Sequence, residues 1–374
     1  MQFKDVIGQG AIKKRLIDSV KDSRVSHALL FSGGQGTGKL AMALAYSQYL
    51  NCRNPSDTDS CGECPSCKKY QKLIHPDLHF VYPVVKSPKF KDPVSDNFID
   101  KWREQVLKNP YFNINIWNGN IDVENSQAQI YVTESNEIIR KLNLKTYEAE
   151  YKVMIIWMIE RMNVQCSNKL LKILEEPPPK TLFILITESD EQLLATIRSR
   201  TQLVKFPAID QESMIKALEK NPSTEGKNLQ GLAHLANGSY IAALDLLTPD
   251  EDTTAYFEQF TKIMRLTYKR DWMSIFDWVD EVSSTGREKQ KSFLLYSMRM
   301  IRENFMLNLN QPQIVFLNGQ EKSFSEKFSP FINERNILIF ADELEKAYRD
   351  ISQNGNPRII FLDLSMKITK IIKA

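Results

Sequence analysis

Residues 27–40 read His27-Ala28-Leu29-Leu30-Phe31-Ser32-Gly33-Gly34-Gln35-Gly36-Thr37-Gly38-Lys39-Leu40. An apolar run passes into a glycine-rich loop and then into a helical pattern. Gly33-x-x-x-x-Gly38-Lys39 is the frame of a loop whose backbone N–H groups cradle phosphate, with Lys39 reaching the β- and γ-phosphates. Gly33, Gly36 and Gly38 permit the close backbone approach that such a nest requires. The last position departs from the frame, because Leu40 stands where a Ser or Thr hydroxyl would hold Mg²⁺.

A second departure lies downstream. Val153-Met154-Ile155-Ile156 has the pattern of a buried strand and runs into Trp157-Met158-Ile159-Glu160. A hydrolysing enzyme of this type delivers a metal-binding acid at the end of that strand. Neither Trp157 nor Met158 can ligate Mg²⁺ or orient water. Glu160 is three residues beyond the expected place, and helix or strand geometry would point it elsewhere. Three uses of the loop stay open: hydrolysis, nucleotide binding without turnover, and an empty structural loop.

Other short apolar runs, Leu78–Tyr82, Leu182–Thr187 and Leu203–Phe206, alternate with helical patterns through residue 206. Continuous rather than alternating apolar runs fit strands covered on both faces by helices. The first part of the chain therefore reads as a parallel α/β sheet with the glycine loop after its first strand. In the helix that follows, Leu40, Leu44, Ser47 and Leu50 recur at helical spacing and place Leu40 on a core face. Val85–Ala128 interrupts the pattern with Lys, Asp, Asn and Pro. It holds one helix, Ser95–Lys108, with Ile99, Trp102 and Val106 on one face and Asn109-Pro110 as its stop. This is an insertion over the sheet, and its simplest reading is an irregular surface excursion.

After Pro207 the pattern is helical throughout. A short helical unit covers about Asp210–Leu247 and ends at Thr248-Pro249. Leu294, Met298, Ile301 and Phe305 form an amphipathic stripe further on. Another helix runs from Glu334 to about Gln353, and Asn354-Gly355-Asn356-Pro357 breaks the chain before a last one, Arg358–Lys373. The fold class is α/β followed by all-α, and 374 residues exceed one ordinary core.

Four of the five cysteines fall between residues 52 and 67, as Cys52, Cys61, Cys64 and Cys67. Two successive C-x-x-C steps supply soft ligands from one knuckle, and four thiolates suit tetrahedral zinc. Gly62 and Pro65 sit where turns would aim the sulfurs inward. Free thiols or a redox pair are the alternatives, and Cys166 reads as plain packing. Lys+Arg 49 against Asp+Glu 46 gives a net charge of +3, too balanced for a protein that coats nucleic acid. No apolar run approaches the roughly 20 residues of a membrane span. The charged start, MQFKDVIGQG, is not a signal peptide, so cytoplasmic residence is the default expectation.

Several segments together resemble one family. Lys169-Leu170-Leu171-Lys172-Ile173-Leu174-Glu175-Glu176-Pro177-Pro178 is similar to the signature LLKxLEEPP of bacterial DNA polymerase III clamp-loader subunits of the AAA+ class. Ala195-Thr196-Ile197-Arg198-Ser199-Arg200-Thr201 resembles their TIRSRC segment, with Thr201 in place of Cys. His27–Phe31, the four cysteines and His75-Pro76-Asp77 follow the family order. The resemblance covers nearly the whole chain, is most specific in the N-terminal half, and has no counterpart for Val85–Ala128.

The resemblance implies an AAA+ (RecA-like) domain at 1–207 with a zinc module at 52–67 and the insertion at 85–128. It implies a small helical lid domain at 208–249 and a helical collar domain for oligomerisation at 250–374. Motor members of the family keep the Mg²⁺-binding Thr and an Asp-Glu pair, whereas the delta-prime branch lacks them. Ala236-Asn237-Gly238-Ser239-Tyr240-Ile241-Ala242 resembles the lid segment, with Ala242 where a motor has a nucleotide-sensing Arg. Ser199 and Arg200 would then act in trans, Arg200 as an arginine finger toward ATP held by a neighbouring subunit. The implied partners are gamma/tau motor subunits, the clamp-opening delta subunit and, indirectly, the sliding clamp and primer–template DNA. Two rival readings are an active motor using Glu160 and a zinc-bearing nucleic-acid adaptor outside any clamp loader.

Overall fold

A computed structural model describes residues 1–88, 90–121, 128–224, 229–247, 251–311, 315, 317 and 319–373. Its contacts divide the chain into two compact units, Met1–Leu246 and Leu247–Ala374. In the first unit the elements run α1 (Gly10–Lys21), β1 (Ala28–Ser32), α2 (Lys39–Leu50), α3 (Pro65–Gln71), β2 (Leu78–Val81), α4 (Ile99–Lys108), α5 (Ile114–Asn120), α6 (Val132–Asn143), β3 (Lys152–Trp157), α7 (Val164–Glu175), β4 (Thr181–Thr187), α8 (Ala195–Arg198), β5 (Gln202–Lys205), α9 (Gln211–Leu218), α10 (Leu229–Leu235) and α11 (Tyr240–Leu247).

The strands form one five-stranded sheet in the order β2-β3-β4-β1-β5, and every pairing is parallel. Each crossover therefore needs a return connection, and helices supply it. β1, β3 and β4 are buried along their whole length, as their unbroken apolar runs predict. β5 departs from that expectation. It is an edge strand, only its Val204 is buried, and Leu203 is exposed. α2 also departs: all twelve residues are buried, so it has no single core face and threads the interior. Lys152, buried at the start of β3, donates to Lys141 O, Leu142 O and Leu144 O and so caps α6. Asp77 of the His75-Pro76-Asp77 segment accepts N–H bonds from Tyr147, Glu148 and Ala149 and ties that loop to β2.

The insertion is not the irregular excursion that its composition suggests. A 3₁₀ turn at Ser95–Phe98 leads into α4, a second helix α5 follows, and Val84 and Gln129 close the base as an antiparallel bridge. Trp102 and Trp117 are fully buried. Polar composition hid this, because a few aromatic residues supply nearly all the buried surface. Residues 122–127 of the insertion lie outside the described residues, as do Thr248 and Pro249 at the expected end of the short helical unit.

The second unit is helical: α12 (Glu251–Lys269), α13 (Trp272–Ser284), α14 (Arg287–Asn308), α15 (Gly319–Phe328), α16 (Ile337–Ser352) and α17 (Pro357–Ile371). Leu294 and Ile301 of the predicted stripe are buried, and Met298 and Phe305 pack against the same core beside Trp278, Phe340 and Phe361. Glu321 is buried and is held by Tyr296 Oη at 2.8 Å and by the Arg299 guanidinium. No helix among the described residues is long and apolar enough to cross a membrane.

Candidate functional site

The glycine loop leaves β1 at Ser32 and enters α2 at Lys39. Gly36 and Gly38 have φ of +72° and +89°, so both need glycine on backbone grounds alone. Contacts make a second demand. A Cβ on Gly33 would stand 2.5 Å from Phe206 O, and one on Gly36 would stand 2.3 Å from Ser239 Oγ. Tyr240 N–H donates to Gly36 O at 3.1 Å. The close approach that glycine allows is thus taken up by the chain's own backbone.

Lys39 is buried, with its ammonium on Gly33 O at 2.5 Å and Gly34 O at 2.6 Å. Burial lowers its pKa to about 8, and the charges of Glu188 and Glu160 oppose that fall. The cavity beside it measures about 30 Å³ and is walled by residues 35–40, Tyr111, Phe112, Trp157, Met158, Thr187 and Glu188 among others. That admits a few water molecules at most, since one needs about 10–15 Å³ by the same measure.

At the far wall Trp157 packs on Phe112 and Trp102, with ring centroids 5.0 Å and 5.4 Å away. Met158 turns the chain with φ +57°. Here the expectation that Glu160 points elsewhere is corrected. The left-handed residue swings Glu160 back toward the end of β4, where its Oε1 accepts Glu188 N–H at 3.1 Å. Its other oxygen is buried without a partner, and burial raises its pKa. Glu188 itself, which sequence reasoning missed, lines the cavity and accepts a bond from Gln35 Nε2 at 3.1 Å. A polar residue closing an apolar strand was the available signal.

Ser199 and Arg200 follow α8, just before β5. Arg200 Nη2 forms an ion pair with Glu175, the last residue of α7. Nη1 donates to Thr196 O at 2.9 Å and to Ser199 Oγ at 3.3 Å, and Nε is buried without a partner. Arg200 therefore has an acid partner within its own chain, in the segment Leu174-Glu175-Glu176-Pro177. Ala242, half-buried on α11, brings no charge to the loop.

Cys52, Cys61, Cys64 and Cys67 converge with all four sulfurs within 4.8 Å of one another. Cys61 N–H points to Cys52 Sγ at 3.3 Å, Cys64 N–H to Cys61 Sγ at 3.4 Å and Cys67 N–H to Cys64 Sγ at 3.4 Å. Gly62 at φ +75° makes the turn, and Pro65 starts α3 directly after Cys64. The backbone N–H groups of Cys64 and Glu63 lower the Cys61 pKa to about 6, favouring a thiolate. Converging, N–H-supported sulfurs fit a tetrahedral soft metal such as zinc. Cys166 is buried in a hydrophobic cluster, in the first turn of α7.

The family model described as "DNA polymerase III, delta subunit" matches residues 8–210. The chain belongs to that family. Among relatives, the DNA polymerase III subunit tau of Bacillus subtilis (strain 168) is 25% identical over 98% of this chain and 61% of its own length. The subunit delta' of the same organism is 29% identical over 69% of this chain and 64% of its own length. The subunit gamma of Buchnera aphidicola subsp. Schizaphis graminum is 28% identical over 99% of this chain and 96% of its own. The chain spans less than two thirds of the length of the first two. Relatives named tau, gamma and delta' stand at similar identity.

Proposed function

We propose that this chain is a non-hydrolysing stator, of the delta-prime type, in a DNA polymerase III clamp loader. One observation carries the reading: beside Lys39, positions 40, 157 and 158 present Leu, Trp and Met, and the Lys39 ammonium is bonded to loop carbonyls. Phosphoryl transfer needs a metal held at the loop hydroxyl and at a strand-end acid. Neither position can hold one here.

The ATP served would belong to a neighbouring gamma/tau motor subunit, with Arg200 supplied in trans as an arginine finger and Ser199 beside it. A guanidinium in that place offsets charge developing on the γ-phosphate. Residues 208–249 would form the lid, and the helical second unit would join a collar with the motors and the clamp-opening delta subunit. Sliding clamp and primer–template DNA would be engaged by the assembly. The four cysteines would hold structural Zn²⁺, since all four sulfurs face one another and leave no open ligand position.

A second reading, an active gamma/tau-like motor, has one observation in its favour: Glu160 and Glu188 both lie within electrostatic reach of Lys39. The experiment that separates them is the Mg²⁺-dependent ATPase of the purified chain. The stator reading expects background turnover. Turnover abolished by Lys39→Ala would establish the motor. A zinc-bearing adaptor outside the clamp loader would instead bind duplex DNA tightly by itself, against which the net charge of +3 speaks.

A further inference from the structure

The insertion sends its tip into the cleft beside the glycine loop. Its root is an aromatic cluster: Trp102 stacks on Tyr82 with centroids 4.1 Å apart and meets Trp117 edge-on at 5.3 Å. Trp117 Nε1–H donates to Pro83 O at 2.8 Å, which anchors α5 to the end of β2. Beyond α4, Asn109 Oδ1 accepts Tyr111 N–H at 2.8 Å, and the turn presents Pro110, Tyr111 and Phe112 to the loop. Tyr111 and Phe112 are each only 5% exposed.

Tyr111 spans the cleft. Its hydroxyl accepts Ile7 N–H at 2.9 Å, and its ring meets Tyr240 edge-on at 5.1 Å. Its Oη lies 3.1 Å from the place of a Cβ on Gly38. On one side is the cavity of about 30 Å³ at the loop. On the other is a cavity of about 550 Å³ walled by Val6, Ile7, Gly8 and Tyr240. Pro110 and Tyr111 line both. A nucleotide with its phosphates at the start of α2 needs one continuous channel, since small-molecule sites run to about 300–1,000 Å³. Here Pro110 and Tyr111 stand between the two cavities.

We propose that Tyr111, supported by Pro110 and Phe112, is an internal plug that excludes nucleotide from this chain's own phosphate loop. Trp157 links the plug to the lost acid. It stands where a metal ligand would project and packs against both Phe112 and Trp102 of the insertion. Loss of the acid and seating of the plug are one packing arrangement. The inference extends the stator reading to nucleotide binding and concerns the isolated chain, so it can fail while the role of Arg200 stands.

The test is equilibrium binding of N-methylanthraniloyl-ADP to the full chain, followed by fluorescence. Wild type should show no saturable binding into the millimolar range. Tyr111→Ala should bind saturably, with a Kd about tenfold or more below the millimolar limit at which wild type shows none, and Lys39→Ala in that background should abolish the gain. Tyr111→Phe keeps the ring and should stay closed. Should Tyr111→Ala lose its cooperative thermal transition, Tyr111→Val serves for the same opening. Micromolar binding by wild type would overturn the plug, and so would a folded opened variant that gains nothing.

Discussion

Replacing Lys39 by Met distinguishes a lysine that clips the loop from one that waits in solvent for phosphate. Lys39 is 7% exposed, and its pKa falls from 10.5 to about 8, chiefly through burial. The folded chain releases this proton above about 8, whereas the unfolded chain keeps it up to 10.5. Between those values the unfolded state binds the extra proton, so stability rises with pH. The difference amounts to ~3 kcal/mol at 1.36 kcal/mol per pKa unit. Below about 8 the charged form carries its burial cost. The two N–H donations to Gly33 O and Gly34 O, which the neutral amine also makes, offset that cost by ~0.5–1.5 kcal/mol each. Lys39→Met removes both contributions. Urea unfolding near neutral pH should therefore give similar midpoints for the two proteins. On raising the pH to 10.5, wild type should gain ~3 kcal/mol relative to Lys39→Met, with unchanged m-values. Parallel pH curves for the two proteins would refute a buried, clipped lysine.

Three further outcomes are expected. Glu175→Gln frees Arg200 from a partly exposed ion pair of ~0.2–1 kcal/mol. In the reconstituted assembly it should lower the ATP concentration for half-maximal ATPase by up to about fivefold; an unchanged requirement would show that Glu175 does not compete with phosphate. Cys64→Ser should release zinc from the purified chain and lower the melting temperature, because metal binding and folding of such a module are coupled. Retention of stoichiometric zinc in that variant would count against the four-sulfur site. Trp102→Ala removes the centre of the insertion's aromatic cluster and should cost ~3–5 kcal/mol; a loss below about 1 kcal/mol would contradict its place in the core.

Much of the fold was legible because its signals are local. Apolar runs named all five strands to within a residue or two, and the glycine loop placed the helix start at Lys39. The cysteine spacing predicted convergence that the sulfur positions show. What escaped depends on distant partners. That Tyr111 reaches Ile7 and Tyr240 cannot be read from its neighbours in sequence. Glu160 turned back because Met158 takes a left-handed conformation, which few non-glycine residues do. The burial of β5 was misjudged because an edge position is a property of the sheet and not of the run Leu203–Phe206. The ion pair between Glu175 and Arg200 joins two motifs that the sequence displays separately.

The central claim is that the chemistry served by this chain happens on a neighbour's ATP through Arg200. Its most direct test is DNA-stimulated ATPase and clamp loading by the reconstituted assembly carrying Arg200→Ala. Removing a finger in trans can cost about 10³–10⁵ in rate at its own site. The account predicts intact assembly with turnover lost at the site that Arg200 adjoins and with clamp loading impaired. Unchanged ATPase and clamp loading in the assembled variant would contradict it.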